Sequence, residues 1–94
     1  MNITIEDKEY EVIENIRDGL DVEEVKKRYT DFFDLYDYIL GDWAYNKMRL
    51  KGFYESNNKN VKDLNNIKNY KTYIKENCAF NCKYFLLKKV YKKI

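Results

Sequence analysis

Apolar and polar positions alternate at the start of the chain. Ile3 and Ile5 sit among polar neighbours, Tyr10 and Val12 do the same, and Glu6-Asp7-Lys8 lies between the two runs. A period of two puts alternate side chains on one face of a strand, so residues 2–15 predict a β-hairpin. Asp18-Gly19 supplies a tight turn whose glycine is free to take a positive φ. The period then lengthens. Val22, Val25 and Tyr29 share one face at helical spacing, while Glu23, Lys26 and Lys27 face water. Asp21 stands where it can cap this helix, and Glu24 completes a capping-box spacing. Acids open the helix and Lys26, Lys27 and Arg28 end it, which suits the macrodipole, so it is expected to stop near Thr30.

The stretch Tyr36 to Tyr54 has the cleanest alternation and holds the single tryptophan, Trp43. Phe32, Phe33 and Leu35 lead into a strand over about Tyr36 to Leu40. Gly41 to Asn46 is expected to be the turn or loop, and Lys47 to Tyr54 the returning strand. In that strand Met48 and Leu50 point to one side, while Lys47, Arg49, Lys51 and Phe53 point to the other. The first side is core and the second a row of cations ending in a ring. Glu55 to Asn66 is rich in asparagine and predicts an exposed connection, in which Val61 and Leu64 could anchor a short element. Ile67 to Asn77 predicts a second helix that buries Ile67, Tyr70 and Ile74, with Lys68, Lys71 and Lys75 as an adjoining solvated stripe. Cys82 to Ile94 fits either a strand or a helix, and its aromatic and β-branched residues favour the strand. The fold class is therefore α+β. About five strands form a twisted, mainly antiparallel sheet with two helices, in the order β-β-α-β-β-α-β.

Length supports one domain spanning residues 1–94. A chain this short buries roughly 60–65% of the surface it exposes unfolded, so its core is thin. Hydrophobic residues make up 45% of it, with sixteen aromatics, enough to fold on and too many for wholesale disorder. No apolar leader follows Met1. The longest apolar run, Tyr84 to Leu87, is far short of the roughly 20 residues that cross a bilayer. A cytoplasmic protein with no membrane contact is expected. In a reducing compartment a structural disulfide between Cys78 and Cys82 is not.

The formal net charge of +2 hides a division. Residues 1–42 hold thirteen acids and five bases, or −8, and residues 43–94 hold three acids and thirteen bases, or +10. Either the basic half presents a polyanion- or partner-binding surface, or the two halves fold together and neutralise each other. Lysine, asparagine and tyrosine dominate while proline is absent, the composition of an AT-rich genome. Lysine density alone therefore says little, and Arg49, one of three arginines, says more.

Asp18-Gly19, then Tyr38-Ile39-Leu40-Gly41-Asp42-Trp43 with Tyr45, then Arg49-Leu50-Lys51-Gly52-Phe53, together resemble the YutD-like family of small bacterial proteins. The later Cys78-Ala79-Phe80-Asn81-Cys82, followed by Tyr84-Phe85 and Leu87, is similar to that family's C-terminal stretch. The resemblance covers nearly the whole chain. It implies a single cytosolic α/β-type domain from a low-GC Gram-positive bacterium, and brings no activity or binding residues with it. Ala44 and Asn46 stand where the family leads one to expect glycines, so the loop is expected to differ in flexibility.

Catalysis is hard to assemble from these residues. The chain has no histidine, and Ser56, its one serine, has no evident base beside it. Asp42 next to Trp43 could be a carboxylate of raised pKa, although such an aspartate more often caps a turn. Cys78 and Cys82 could supply half of a tetrahedral zinc site, completed only by a second copy; packing as small apolar groups is the preferred reading, with redox or metal chemistry the alternative. No enzyme, metal or cofactor is expected. The best candidate site is Trp43, Tyr45, Lys47, Arg49, Lys51 and Phe53 on the central hairpin, with Lys88, Lys89, Lys92 and Lys93 extending its charge. Strand-spaced cations with aromatic rings can track single-stranded RNA or another single-stranded nucleic acid. The same residues can anchor a protein, with complementary charge selecting the partner. A protein-interaction or regulatory module is favoured over nucleic-acid binding, as a monomer or weak homodimer.

Overall fold

Lys8–Ile16 carries the longest stretch of alternation near the N-terminus and becomes the longest strand of a five-stranded antiparallel sheet. The computed structural model describes residues 1–78 and 81–91. In chain order the elements are β1 (Asn2–Ile5), β2 (Lys8–Ile16), α1 (Val22–Arg28), β3 (Tyr38–Ala44), β4 (Lys47–Phe53), α2 (Tyr70–Asn77) and β5 (Tyr84–Lys89). Short 3-10 turns lie at Asp31–Leu35, Asp63–Asn65 and Ile67–Asn69. The order is the expected β-β-α-β-β-α-β. No helix among the described residues is long and apolar enough to cross a membrane.

Across the sheet the strands run β1-β2-β5-β3-β4, so the last strand in sequence enters the middle. Phe85, Leu86 and Leu87 explain why: all three are buried, and consecutive residues point to opposite faces, so both sides of β5 are apolar. A helix there would have exposed part of that run. The 82–94 ambiguity thus resolves as a strand over Tyr84–Lys89, with 92–94 outside the described residues.

The two helices cover opposite faces. Val25 and Tyr29 lie with Ile5, Tyr10, Ile39, Met48, Phe85 and Leu87 in one core. Tyr70, Tyr73 and Ile74 of α2, with Ile67, pack on Leu40, Phe53 and Leu86 in the other. Asp21 caps α1 as expected, accepting from the Glu24 N–H at 3.1 Å. Glu24 pairs with Arg28 at 3.6 Å, so the capping-box spacing carries a one-sided cap and an ion pair.

Three expectations are corrected, and β2 adds an irregularity of its own. β3 runs on to Ala44, so the turn or loop expected over Gly41 to Asn46 shrinks to Tyr45 and Asn46, both with positive φ, as in a tight two-residue hairpin turn. At the first turn Arg17 and Asp18 take the positive φ, and Gly19 does not. Glycine is needed there for space, because a Cβ would come within 2.7 Å of the Tyr84 backbone. In the alternation of β2 a bulge inserts Ile13, which is why an isoleucine points to water. Cys78 and Cys82 are joined as a disulfide, their Cα atoms 5.9 Å apart across the turn between α2 and β5. The compartment argument against that bond was silent on geometry, and the turn brings the two Cα atoms within bridging range.

Asp37, just before β3, ties the long connection to the sheet. It accepts from the Glu55 N–H at 2.8 Å, the Asn58 side chain at 3.2 Å and the Tyr91 hydroxyl. Burial alone would push its carboxyl up, but these donors outweigh burial and hold it below its ordinary range. A carboxyl depressed in the folded state adds stability at and above its unfolded pKa, and that stability is lost as pH falls through the folded value. Melting temperature measured from neutral pH down past about pH 4 should therefore fall more steeply for the native chain than for Asp37→Asn. Parallel curves would rule this out. Gly41 lies under the Phe85 ring, which a Cβ would meet at 2.0 Å. Gly41→Ala should lower urea stability by about 1–3 kcal/mol, the usual effect of overpacking.

Candidate functional site

Lys47, Arg49, Lys51 and Phe53 share one face of β4, as their period of two requires. Its Phe53 end is covered by α2, while its Lys47 end is exposed. Phe53 is fully buried, with its ring centroid 5.9 Å from that of Tyr73 in α2. The Lys51 ammonium lies 5.2 Å from the Phe53 ring centroid and 5.3 Å from that of Tyr73. Arg49 reaches back to its register partner on β3, Asp42, which is only 2% exposed. Nε donates to Oδ1 at 3.0 Å and Nη2 to Oδ2 at 2.6 Å, a two-pronged ion pair, and Nη2 also donates to the Asn77 carbonyl at the end of α2. These bonds raise the Arg49 pKa further, so its charge is permanent and already matched. Asp42 is accordingly held in a structural ion pair.

Trp43 stands on the other side of the sheet. Its register partner is Met48, so it falls with Met48 and Leu50, and its indole N–H donates to the Gly19 carbonyl at 2.8 Å. Expecting a turn or loop at 41–46 left its side of the strand undefined. Tyr45 sits at the tip of the turn, 99% exposed, and Lys47 is exposed beside it. The six residues therefore form no continuous stacking platform; Tyr45, Lys47 and Lys51 are the ones whose side chains stay available. The expected extension is partly matched as well. Lys89 lies 2.8 Å from Asp34 and Lys88 4.0 Å from Glu55, while Lys92 and Lys93 lie outside the described residues.

Apolar side-chain periodicity carries no information on what β4 does with its backbone. β4 ends the sheet and pairs with β3 alone. Just beyond it, Tyr54 turns away from β3: its N–H donates to the Asn65 carbonyl and its C=O accepts from the Ile67 N–H. Ladder alternation gives the N–H and C=O of Met48 and Leu50 the same outward direction. No backbone group among the described residues pairs with them. Grooves flank this edge on both faces. One, of about 330 Å³, is lined by Phe32, Phe33, Tyr36 and Leu50. The other, of about 370 Å³, is lined by Lys51, Leu64, Thr72 and Tyr73. Phe32 at 57% and Leu64 at 85% exposure leave large apolar surface at their rims. The signal was in the sequence: cations at every second position are a common device for keeping an edge strand from aggregating.

A family model described as "Putative antitoxin YutD-like" matches residues 4–88. The chain belongs to the YutD-like family. It is 42% identical over 90 residues to "Putative antitoxin YutD" of Bacillus subtilis (strain 168), covering 96% of this chain and 99% of that protein. The solution NMR structure of protein yutD from B. subtilis matches with a TM-score of 0.81 at 40% identity, over 100% of this chain and 86% of that one. In this YutD-like chain the residues that carried the resemblance do structural work. Gly41 admits the Phe85 ring, Asp42 and Arg49 pair across the hairpin, and Trp43 fastens the sheet to the Gly19 turn.

The pair should respond unequally to loss of either member. Arg49→Met leaves a carboxylate stranded at 3% side-chain exposure, whereas Asp42→Asn leaves a guanidinium that is 44% exposed and can hydrate. We expect Arg49→Met to lose about 2–3 kcal/mol in urea unfolding, at or below the lower end for buried pairs, and Asp42→Asn about 1 kcal/mol. Equal losses would show the aspartate to be less isolated than its burial states.

Proposed function

We propose that this YutD-like chain is a non-catalytic protein-binding module that seats a segment of another protein along the open edge of β4. The observation that carries this reading is the unpaired run of backbone groups at Met48 and Leu50 between two grooves with apolar rims. An extended segment adding to such an edge gains main-chain hydrogen bonds for affinity and groove contacts for specificity. The B. subtilis relative carries the name "Putative antitoxin YutD", and a partner-directed role of that kind fits a docking edge better than a catalytic centre. The chain's chemistry supports this: histidine is absent, Asp42 is matched by Arg49, and the Ser56 hydroxyl donates to Asn66 at 2.7 Å. Binding of single-stranded nucleic acid finds less support, because Trp43 faces away from the cations and Arg49 is already neutralised. We place this action in the cytoplasm, as the family resemblance implies, a compartment in which the Cys78–Cys82 bond is disfavoured by reducing thiols.

Leu50→Pro separates the alternatives. Its N–H points out of the sheet, so proline removes a docking donor without deleting a bond to β3. Tagged native chain expressed in B. subtilis should retain the same protein in near-stoichiometric yield after nuclease treatment. Leu50→Pro, with unchanged far-ultraviolet circular dichroism, should retain at least tenfold less. Retention of nucleic acid alone, or equal retention of that protein by the variant, would refute the reading.

A further inference from the structure

The chemistry of the segment that β4 accepts can be taken further, on the reading that β4 is a docking edge. Three cations face one side of this strand, but they are not equivalent. Arg49 is matched by Asp42 and tied to the Asn77 carbonyl. No ion pair among the described residues involves Lys47 or Lys51. The edge thus presents two unmatched positive charges, four residues or about 13 Å apart along the strand, with a neutralised position midway between them. On the opposite side, Leu50 borders the groove of Phe32, Phe33 and Tyr36, whose far wall is Lys62, Leu64 and Asn65 of the connection after β4. Period two then dictates the complement, because a strand laid beside β4 must put alternate side chains on the same two sides.

We infer that the partner is an extended protein segment with carboxylates four residues apart, a neutral residue midway between them, and apolar side chains at the intervening positions. The carboxylates meet Lys47 and Lys51, and the midway residue faces the Asp42–Arg49 pair without disturbing it. The intervening apolar side chains enter the Phe32–Tyr36 groove beside Leu50. Asp63 and Glu76 line the same groove as Lys51, so an acid that strays from Lys51 into that groove is repelled. The length of the segment is bounded too. Asn65 and Ile67 already bond Tyr54, so among the described residues the open stretch starts at Lys47 and ends short of Tyr54.

A second copy of the chain meets these demands poorly. Pairing β4 with its own copy sets lysines against lysines, and like charges on adjoining strands destabilise. The other edge, β1, reads Asn2-Ile3-Thr4-Ile5 and carries no carboxylate to offer.

The test uses capped seven-residue peptides with β-branched or leucine residues at odd positions, threonine in the centre, and either glutamate or lysine at the second and sixth positions. Binding is read by amide shifts and hydrogen-exchange protection at Met48 and Leu50 in the full chain. The glutamate peptide should protect these amides and bind at least tenfold more tightly than the lysine peptide, with affinity falling as salt rises. Lys47→Glu/Lys51→Glu should reverse the preference. Equal binding of both peptides at the edge would overturn the charge pattern while leaving the docking edge intact. No protection by either would overturn the inference, and the docking edge would fall with it only if Leu50→Pro still retained its protein in cells. Edge protection that grows with protein concentration alone, or that a single-stranded oligonucleotide produces in place of the peptide, would also overturn it, in favour of self-pairing or nucleic acid.

Discussion

Insertion of β5 between β2 and β3 is the constraint on which the rest of the structure depends. Without Tyr84–Lys89 the chain would be two separate hairpins, each with one apolar face and too few strands to stand alone. The run Phe85-Leu86-Leu87 buries side chains on both faces and joins the two cores through one strand. Its register links residues at the two ends of the chain, with Tyr10 opposite Lys89 and Ile16 opposite Tyr84. Such pairing is strongly non-local, so loop-closure entropy must be met before the sheet is complete. The same insertion decides which backbone is left over. Because β5 takes the inner side of β3, β4 has a single neighbour and its outer groups stay open.

Charge follows from this arrangement. The acidic first part and the basic second part do meet, through Arg49 with Asp42 and Lys89 with Asp34. The first of these is buried on its acidic side and fixes the hairpin. Neutralisation is selective, however. It consumes the one arginine on β4 and leaves the lysines two positions to either side, so the sum of +2 describes neither the core nor the edge. Two hydroxyl–carboxylate contacts, Tyr70 with Glu14 and Tyr91 with Asp37, hold later segments to earlier ones and use further acids of the first part structurally.

Much of the fold was legible residue by residue. The alternation of Ile3, Ile5 and Tyr10, the Asp21 cap and the Met48 and Leu50 parity all record contacts within a few positions, and each emerges in place. The candidate site was legible only in part. Lys47, Arg49, Lys51 and Phe53 do share a face, but that α2 would lie across its Phe53 end depends on a helix more than fifteen residues further on. The side that Trp43 faces was not legible, because Gly41 and Asp42 resemble turn residues, while their roles, admitting the Phe85 ring and pairing with Arg49, come from other strands.

By itself the amino-acid sequence determined the kinds of element, their order and the family, because periodicity, caps and turn residues act over one or two turns of chain. Only the tertiary structure decided which charges are matched, which ring faces which layer and which strand keeps an open edge. Those properties belong to pairs of residues far apart in the chain. A cation is free or matched, and a strand inner or outer, according to what the remainder of the fold places beside it.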